Sequence, residues 1–264
     1  MEWGIAGTVL KLCAGAGAAL LALFLLQERM LFYPRPGPDT LPGAESVFIA
    51  APDGTRLHAW LVEAHPDAPL VIYFGGNAEQ VSWMAGQARQ RAPDSAWLLV
   101  DYRGYGSSAG SPAETALVAD ALAWYDEYSK SRKSIYLFGR SLGTGVAVQL
   151  AAARSVAGVI LVAPYDSMVE VGRFHYPFLP VRWLLKHRFE SVKYAPDVSA
   201  PLLCLVAQND EVIPVVRSKR LYDAWKGSKR WVELRNAGHN STDDAPEFWR
   251  AIRTFLDNNN EKPG

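Results

Sequence analysis

Residues 134–153 read S-I-Y-L-F-G-R-S-L-G-T-G-V-A-V-Q-L-A-A-A. Residues 135–138 are an apolar, β-forming run that stops at Gly139, and a run of small, helix-compatible residues starts at Leu142. Between them sits G-R-S-L-G, a G-x-S-x-G pattern at a strand-to-helix turn. A serine at so sharp a turn is held in a strained backbone conformation that lifts its hydroxyl clear of the sheet. Glycine is expected at 139 and 143 because a side chain at either would collide with the neighbouring strand or helix. The helix N-terminus beneath Ser141 favours the negative charge that develops in acyl transfer. The pattern marks Ser141 as a nucleophile, against the plain alternative of a glycine-rich turn with a surface serine.

Working outward, short apolar runs recur at residues 70–74, 96–101, 158–162, 202–207 and 230–234. Helix-compatible stretches at 79–91 and 113–130 separate the earlier ones, and further helical stretches follow the later ones. Residues 46–50 and 57–62 flank the turn sequence P-D-G-T and read as a hairpin. Continuous apolar strands alternating with helices predict an α/β fold, an eight-stranded, mostly parallel sheet covered by helices, with the first pair antiparallel. A chain of 264 residues with 49% apolar content can bury this as one large domain over 46–257.

A serine hydroxyl needs a base within hydrogen-bond reach. Of the five histidines, His239 lies in a polar loop after a late strand, in N-A-G-H-N-S-T. A carboxylate must orient the imidazole and stabilise its charge. Asp210 follows the apolar run at 202–207 and fits that role, with Glu211 its nearest rival. Asp243 and Asp244 read instead as caps of the next helix, because Asp244 and Glu247 have capping-box spacing. The order Ser141, Asp210, His239 is that of an α/β-hydrolase. Two backbone donors are needed for the oxyanion. The Leu142 amide is one. The other comes from G-G-N-A after residues 70–74, where Gly75 and Gly76 permit close backbone approach and Asn77 supplies the donor.

With these pieces assembled, the chain resembles the membrane-anchored α/β-hydrolase-domain serine hydrolases, relatives of lysophospholipid lipases and protein depalmitoylases. The resemblance runs over about residues 27–255. It rests on L-F-Y-P-R-P, P-D-G-T-R-L-H-A-W, G-G-N-A, D-Y-R-G-Y-G-S-S-A-G-S-P, G-R-S-L-G, N-D-E-V-I-P and A-G-H-N. The most family-specific block, starting at Asp101, reads from its residues as a glycine-rich loop near the site mouth. Family members commonly carry histidine where this chain has Gly75, which leaves the shape of the oxyanion loop open. Depalmitoylase relatives carry an N-terminal cysteine cluster; here only Cys13 is present, so that activity is not supported. The resemblance also implies a short cap at residues 165–195. Its aromatic residues would line an acyl pocket, dip into lipid, or simply pack on the core.

Residues 4–26 form an apolar run broken only by Lys11, long enough to cross a bilayer. No small-residue cleavage site follows it, so an uncleaved, single-pass membrane anchor over residues 1–30 is expected. Lys11 and the amino terminus oppose Arg29 and Arg35, which leaves its orientation open. Proline-rich residues 31–45 read as an extended linker and polar residues 258–264 as a fraying tail. The formal net charge is zero, which gives no footprint for nucleic acid. Cys13 and Cys204 suggest neither a metal site nor a bridge, and no cofactor is called for. The expected activity is hydrolysis of a carboxylic ester or thioester, with lipid-like substrates among the candidates, through an acyl-enzyme. A peptidase or amidase and a non-catalytic membrane scaffold are the alternatives. An aspartate nucleophile, as in dehalogenases, is excluded by Ser141.

Overall fold

The computed structural model describes residues 2–260, with the side chains of residues 2–10, 13, 16 and 260 outside the description. A long helix, α1 (Glu2–Leu31), precedes a sheet that begins with the hairpin β1 (Glu45–Ala50) and β2 (Arg56–Val62). Then follow β3 (Leu70–Phe74), α2 (Trp83–Arg91), β4 (Ala96–Asp101), α3 (Glu114–Tyr128), β5 (Ile135–Arg140), α4 (Leu142–Ala153) and β6 (Gly158–Val162). A helical insertion of α5 (Met168–His175), α6 (Val181–Leu184) and α7 (Ser191–Tyr194) leads to β7 (Leu202–Ala207). The chain closes with α8 (Val215–Ala224), β8 (Lys229–Leu234) and α9 (Pro246–Asn260).

The eight strands form one sheet in the order β1-β2-β4-β3-β5-β6-β7-β8. β2 runs antiparallel to both β1 and β4, and every other pairing is parallel. The central strands are buried on both faces, which is why they read as unbroken apolar runs. Along β3, Leu70, Ile72 and Phe74 join Trp124, Val146, Leu150 and Leu221 in one core. Val71 and Tyr73 point the other way, into a second core with Met84, Phe248, Ile252 and Phe255. The two-residue strand period thus supplies two helical layers with one apolar face each.

Three boundaries depart from the expectations. α2 begins at Trp83 rather than at residue 79, because Ala78 sits at φ 59° and the Glu79 carboxylate is taken up by the preceding loop. Asp244 does not cap α9: it lies in a short 3-10 turn, and the helix starts at Pro246. α9 also runs on to Asn260, where the tail was expected to fray from 258, and the Asn259 side chain donates to the Phe255 carbonyl at 2.7 Å. Residues 261–264 of that tail lie outside the description.

The proline-rich segment after α1 has no regular structure, yet it lies against the domain. Phe32 is buried, the Gly106 amide donates to the Arg35 carbonyl at 2.8 Å, and Gln80 Nε2 donates to the Pro36 carbonyl at 2.5 Å. Among the described residues no helix is long and apolar enough to cross a membrane. The anchor expected over residues 4–26 falls in part on residues whose side chains lie outside the description.

Candidate active site

β5 ends at Arg140 and α4 starts at Leu142, leaving Ser141 alone at the turn with φ 48° and ψ −114°. That is strained backbone for a non-glycine residue. Its neighbours explain why the turn closes only with glycine. A methyl group at Gly139 would come 2.6 Å from the Gly143 carbonyl oxygen, and one at Gly143 would overlap the Phe74 carbonyl. The turn is held from both sides: the Ser141 amide donates to Val162 O at 2.9 Å, and Thr144 Oγ1 donates to Ser141 O at 2.7 Å.

The structure brings together the three side chains singled out in the sequence. Ser141 Oγ lies 2.9 Å from His239 Nε2, and His239 Nδ1 lies 2.9 and 3.0 Å from the two oxygens of Asp210. Donation of Nδ1–H to the carboxylate leaves Nε2 as the acceptor facing the serine hydroxyl. The Asp210 side chain is 1% exposed and is fixed by the amides of Val212 at 2.9 Å and Ile213 at 2.7 Å. Glu211 reaches only the backbone amide of His239, at 3.5 Å, so Asp210 is the carboxylate on the ring.

The loop after β3 abuts the serine. A side chain added at Gly76 would approach Ser141 Cβ to 3.6 Å. Among the described residues neither the Asn77 nor the Leu142 amide donates a hydrogen bond within the chain. The Asn77 side chain, by contrast, is bonded at both of its polar atoms. Its Nδ2 donates to Leu31 O at 2.6 Å, and its Oδ1 accepts from the Tyr33 amide at 3.0 Å and from Tyr105 Oη at 2.8 Å.

Residues that local reading did not assign hold this loop. Tyr102 Oη donates to Gly75 O at 2.9 Å, so both tyrosines of D-Y-R-G-Y-G brace it. Burial pushes Tyr102 far above the ordinary phenol range and Tyr105 up to about 12, which keeps both hydroxyls protonated as donors. The same block is locked by its charged members. Arg103 makes a two-pronged contact with Asp120 at 2.5 and 2.6 Å, and Asp101 accepts from His58 Nδ1 at 2.7 Å. The only sequence signal for these roles was the block's resemblance to the family.

Gly75 also acquires a reason. Glu79 Oε2 accepts the Gly76 amide at 2.6 Å, while Oε1 accepts from Tyr73 Oη at 2.5 Å and Trp83 Nε1 at 2.7 Å. A side chain at 75 would press on Val81 at 2.8 Å and on the Glu79 carboxyl at 3.3 Å. Glycine there makes room for a carboxylate that clamps the loop from beneath.

A second Ser-His-Asp relay exists in the chain. Ser46 Oγ lies 3.0 Å from His58 Nε2, whose Nδ1 meets Asp101. Ser46, however, lies on the edge strand β1 with ordinary backbone, away from any glycine-lined turn. No cluster of three or more metal-ligating side chains occurs among the described residues.

A family model described as serine hydrolase matches residues 117–258. An uncharacterized protein of Mycobacterium tuberculosis, Rv2307c, is 35% identical over 91% of each chain. The lysophosphatidylserine lipase ABHD12 of Danio rerio is 36% identical over 61% of this chain and 48% of its own length. Among solved structures, the Pyrococcus furiosus esterase Pf2001 superposes with a TM-score of 0.66 at 20% identity, covering 85% of this chain and 98% of that one. The sheet and its helical layers are those of the α/β-hydrolase fold, and the chain belongs to the serine hydrolase family.

Proposed function

We propose that this hydrolase cleaves carboxylic ester or thioester bonds of lipid-like substrates at Ser141, working at a membrane to which α1 attaches it. The observation that carries the reading is the unbroken relay from Ser141 Oγ through His239 to Asp210.

Ser141 Oγ attacks the carbonyl carbon as His239 Nε2 takes its proton, and Asp210 stabilises the imidazolium. The amides of Asn77 and Leu142 receive the oxyanion. The carbon–oxygen or carbon–sulfur bond breaks, and His239 returns the proton to the departing alcohol or thiol. Water then attacks the acyl-enzyme with its proton taken by His239, and the carboxylic acid leaves with Ser141 restored.

Two features support the lipid and membrane parts of the reading. The similarity to a lysophosphatidylserine lipase covers 61% of this chain. On α1, Leu12, Leu21, Leu25 and Leu26 are 48–68% exposed, an apolar surface that water solvates poorly.

The test is labelling of the full chain in membranes with a fluorophosphonate probe, followed by a panel of p-nitrophenyl esters. Wild type should label, and Ser141→Ala and His239→Ala should not. A folded wild type that neither labels nor turns over any ester would sink the proposal.

A further inference from the structure

The insertion between β6 and β7 carries an apolar surface that the catalytic relay does not use. Phe178 is 98% exposed, Trp183 87%, and Phe174 and Tyr176 61% each. Four large aromatics displayed within ten residues are far outside the scatter of single exposed apolar side chains on a soluble surface. An open groove of about 460 Å³ runs among Leu179, Pro180, Val181 and Trp183, rimmed by Arg173 and Arg182.

Two further observations say what covers this surface. The first is continuity with α1. Gln27 Nε2 donates to Leu184 O at 2.9 Å, and its Oε1 accepts the Lys186 amide at 2.7 Å. Lys186 Nζ sits 4.7 Å from the centre of the Phe24 ring and 3.5 Å from Glu28. The aromatic patch is therefore pinned beside the exposed leucines of α1. The second is charge. From Arg173 to Arg188 inclusive the chain holds four Lys or Arg residues and no Asp or Glu. Acidic neighbours temper that charge, Glu170 pairing with Arg173 and Arg182, Glu28 with Lys186 and Glu190 with Arg188, which leaves four basic groups against three acidic ones. Exposed Trp, Tyr and Phe among lysine and arginine is the composition that sits at a bilayer's headgroup boundary.

We infer that residues 174–183 form a second membrane contact, inserting Phe174, Tyr176, Phe178 and Trp183 into the interfacial layer of an anionic bilayer beside the end of α1. The contact turns the domain so that the insertion, and not an arbitrary face, meets the lipid. It would let a lipid ester reach the site without crossing open water. The inference takes the membrane attachment proposed above as its frame but does not depend on the chemistry at Ser141.

The test uses the full chain reconstituted in vesicles of phosphatidylcholine and phosphatidylserine. A fluorophore sensitive to polarity is attached at Phe178→Cys in a Cys13→Ser background, and separately at Lys219→Cys on α8. Emission at 178 should shift to the blue and be quenched by spin-labelled acyl chains, while emission at 219 stays solvent-like. Solvent-like, unquenched emission at 178 overturns the inference, whether or not the protein floats with the vesicles.

A functional arm separates lipid contact from an acyl pocket. Phe178→Glu with Trp183→Glu should raise KM for a vesicle-borne lysophospholipid at least about tenfold. KM for monomeric p-nitrophenyl octanoate should stay within about twofold. An equal rise on both substrates assigns these side chains to the substrate site and overturns the inference. Quenching of the labelled Phe178→Cys protein together with a wild type that hydrolyses no ester defeats the hydrolase reading alone.

Discussion

The Asn77 carboxamide donates to the Leu31 carbonyl at 2.6 Å, tying the loop beside Ser141 to the last residue of α1. With Tyr33, Ala78 and Tyr105 donating to its Oδ1, the side chain works as a strut, and the Asn77 backbone amide, the proposed oxyanion donor, makes no hydrogen bond within the described chain. The end of the N-terminal helix is thus joined directly to the loop that abuts Ser141.

Asn77→Ala keeps the backbone donor but removes the strut. A donor displaced by a fraction of an ångström loses much of its value in the transition state. The variant should lose about tenfold to a hundredfold in kcat with little change in KM. Tyr105→Phe, which removes one of the three bonds to Oδ1, should lose less. Steady-state kinetics on a soluble p-nitrophenyl ester measure both. An Asn77→Ala enzyme with wild-type kcat would show that the strut is idle.

The Ser46 relay offers an internal control. Ser46→Ala should leave fluorophosphonate labelling unchanged, because its hydroxyl lacks a strained turn and free amides aimed at a developing charge. His58→Ala should act on stability instead. Its ring is 1% exposed and bonded to both Ser46 and Asp101, and losing it leaves a buried carboxylate with the Ser107 amide as its remaining side-chain partner. About 3 kcal/mol of destabilisation is expected from chemical denaturation, with labelling at Ser141 retained in the folded fraction.

Two glycine-to-alanine changes should have opposite outcomes. At Gly143 the added methyl meets the Phe74 carbonyl, where α4 packs against the end of β3. Neither element can yield without opening the turn, so Gly143→Ala should cost both activity and soluble yield. Gly86 lies inside α2 with nothing within 4 Å of the added group. There the gain in helix propensity should stabilise the protein by up to about 1 kcal/mol. Thermal melts of the two variants read the contrast.

Alkaline stability follows from the buried phenols. Burial raises Tyr73, Tyr102 and Tyr165 well above the usual value and holds Tyr105 and Tyr128 at about 12. In the unfolded chain these groups release protons near the ordinary value of 10. Between these limits the folded state binds more protons than the unfolded one. Stability is therefore full below pH about 10 and falls as pH rises toward 12. Denaturant midpoints taken across this range should decline, and phenolate absorbance should grow in step with unfolding. Early ionisation of the folded protein would contradict the burial.

The nucleophile turn and the strands were legible because their causes are local. A residue-by-residue apolar run, a glycine that admits a helix, and a serine between them act within a few positions of one another. β3, β4, β6 and β7 accordingly fall where the apolar runs lie. α2 and α9 were misjudged at their starts because distant or competing partners decided them: Glu79 turned inward to the Gly76 amide, and a 3-10 turn took Asp244.

The sequence by itself determined the sheet, the candidate serine and the short set of groups able to serve it. Only the tertiary structure chose among them. It set Asp210 rather than Glu211 on the imidazole, gave Gly75 its purpose, and laid the proline-rich segment against the site. The reason is physical. Hydrogen bonds such as Tyr33 to Asn77 and Tyr33 to Tyr105 join residues 44 and 72 positions apart. No local propensity records a contact that exists only once the sheet has brought its ends together.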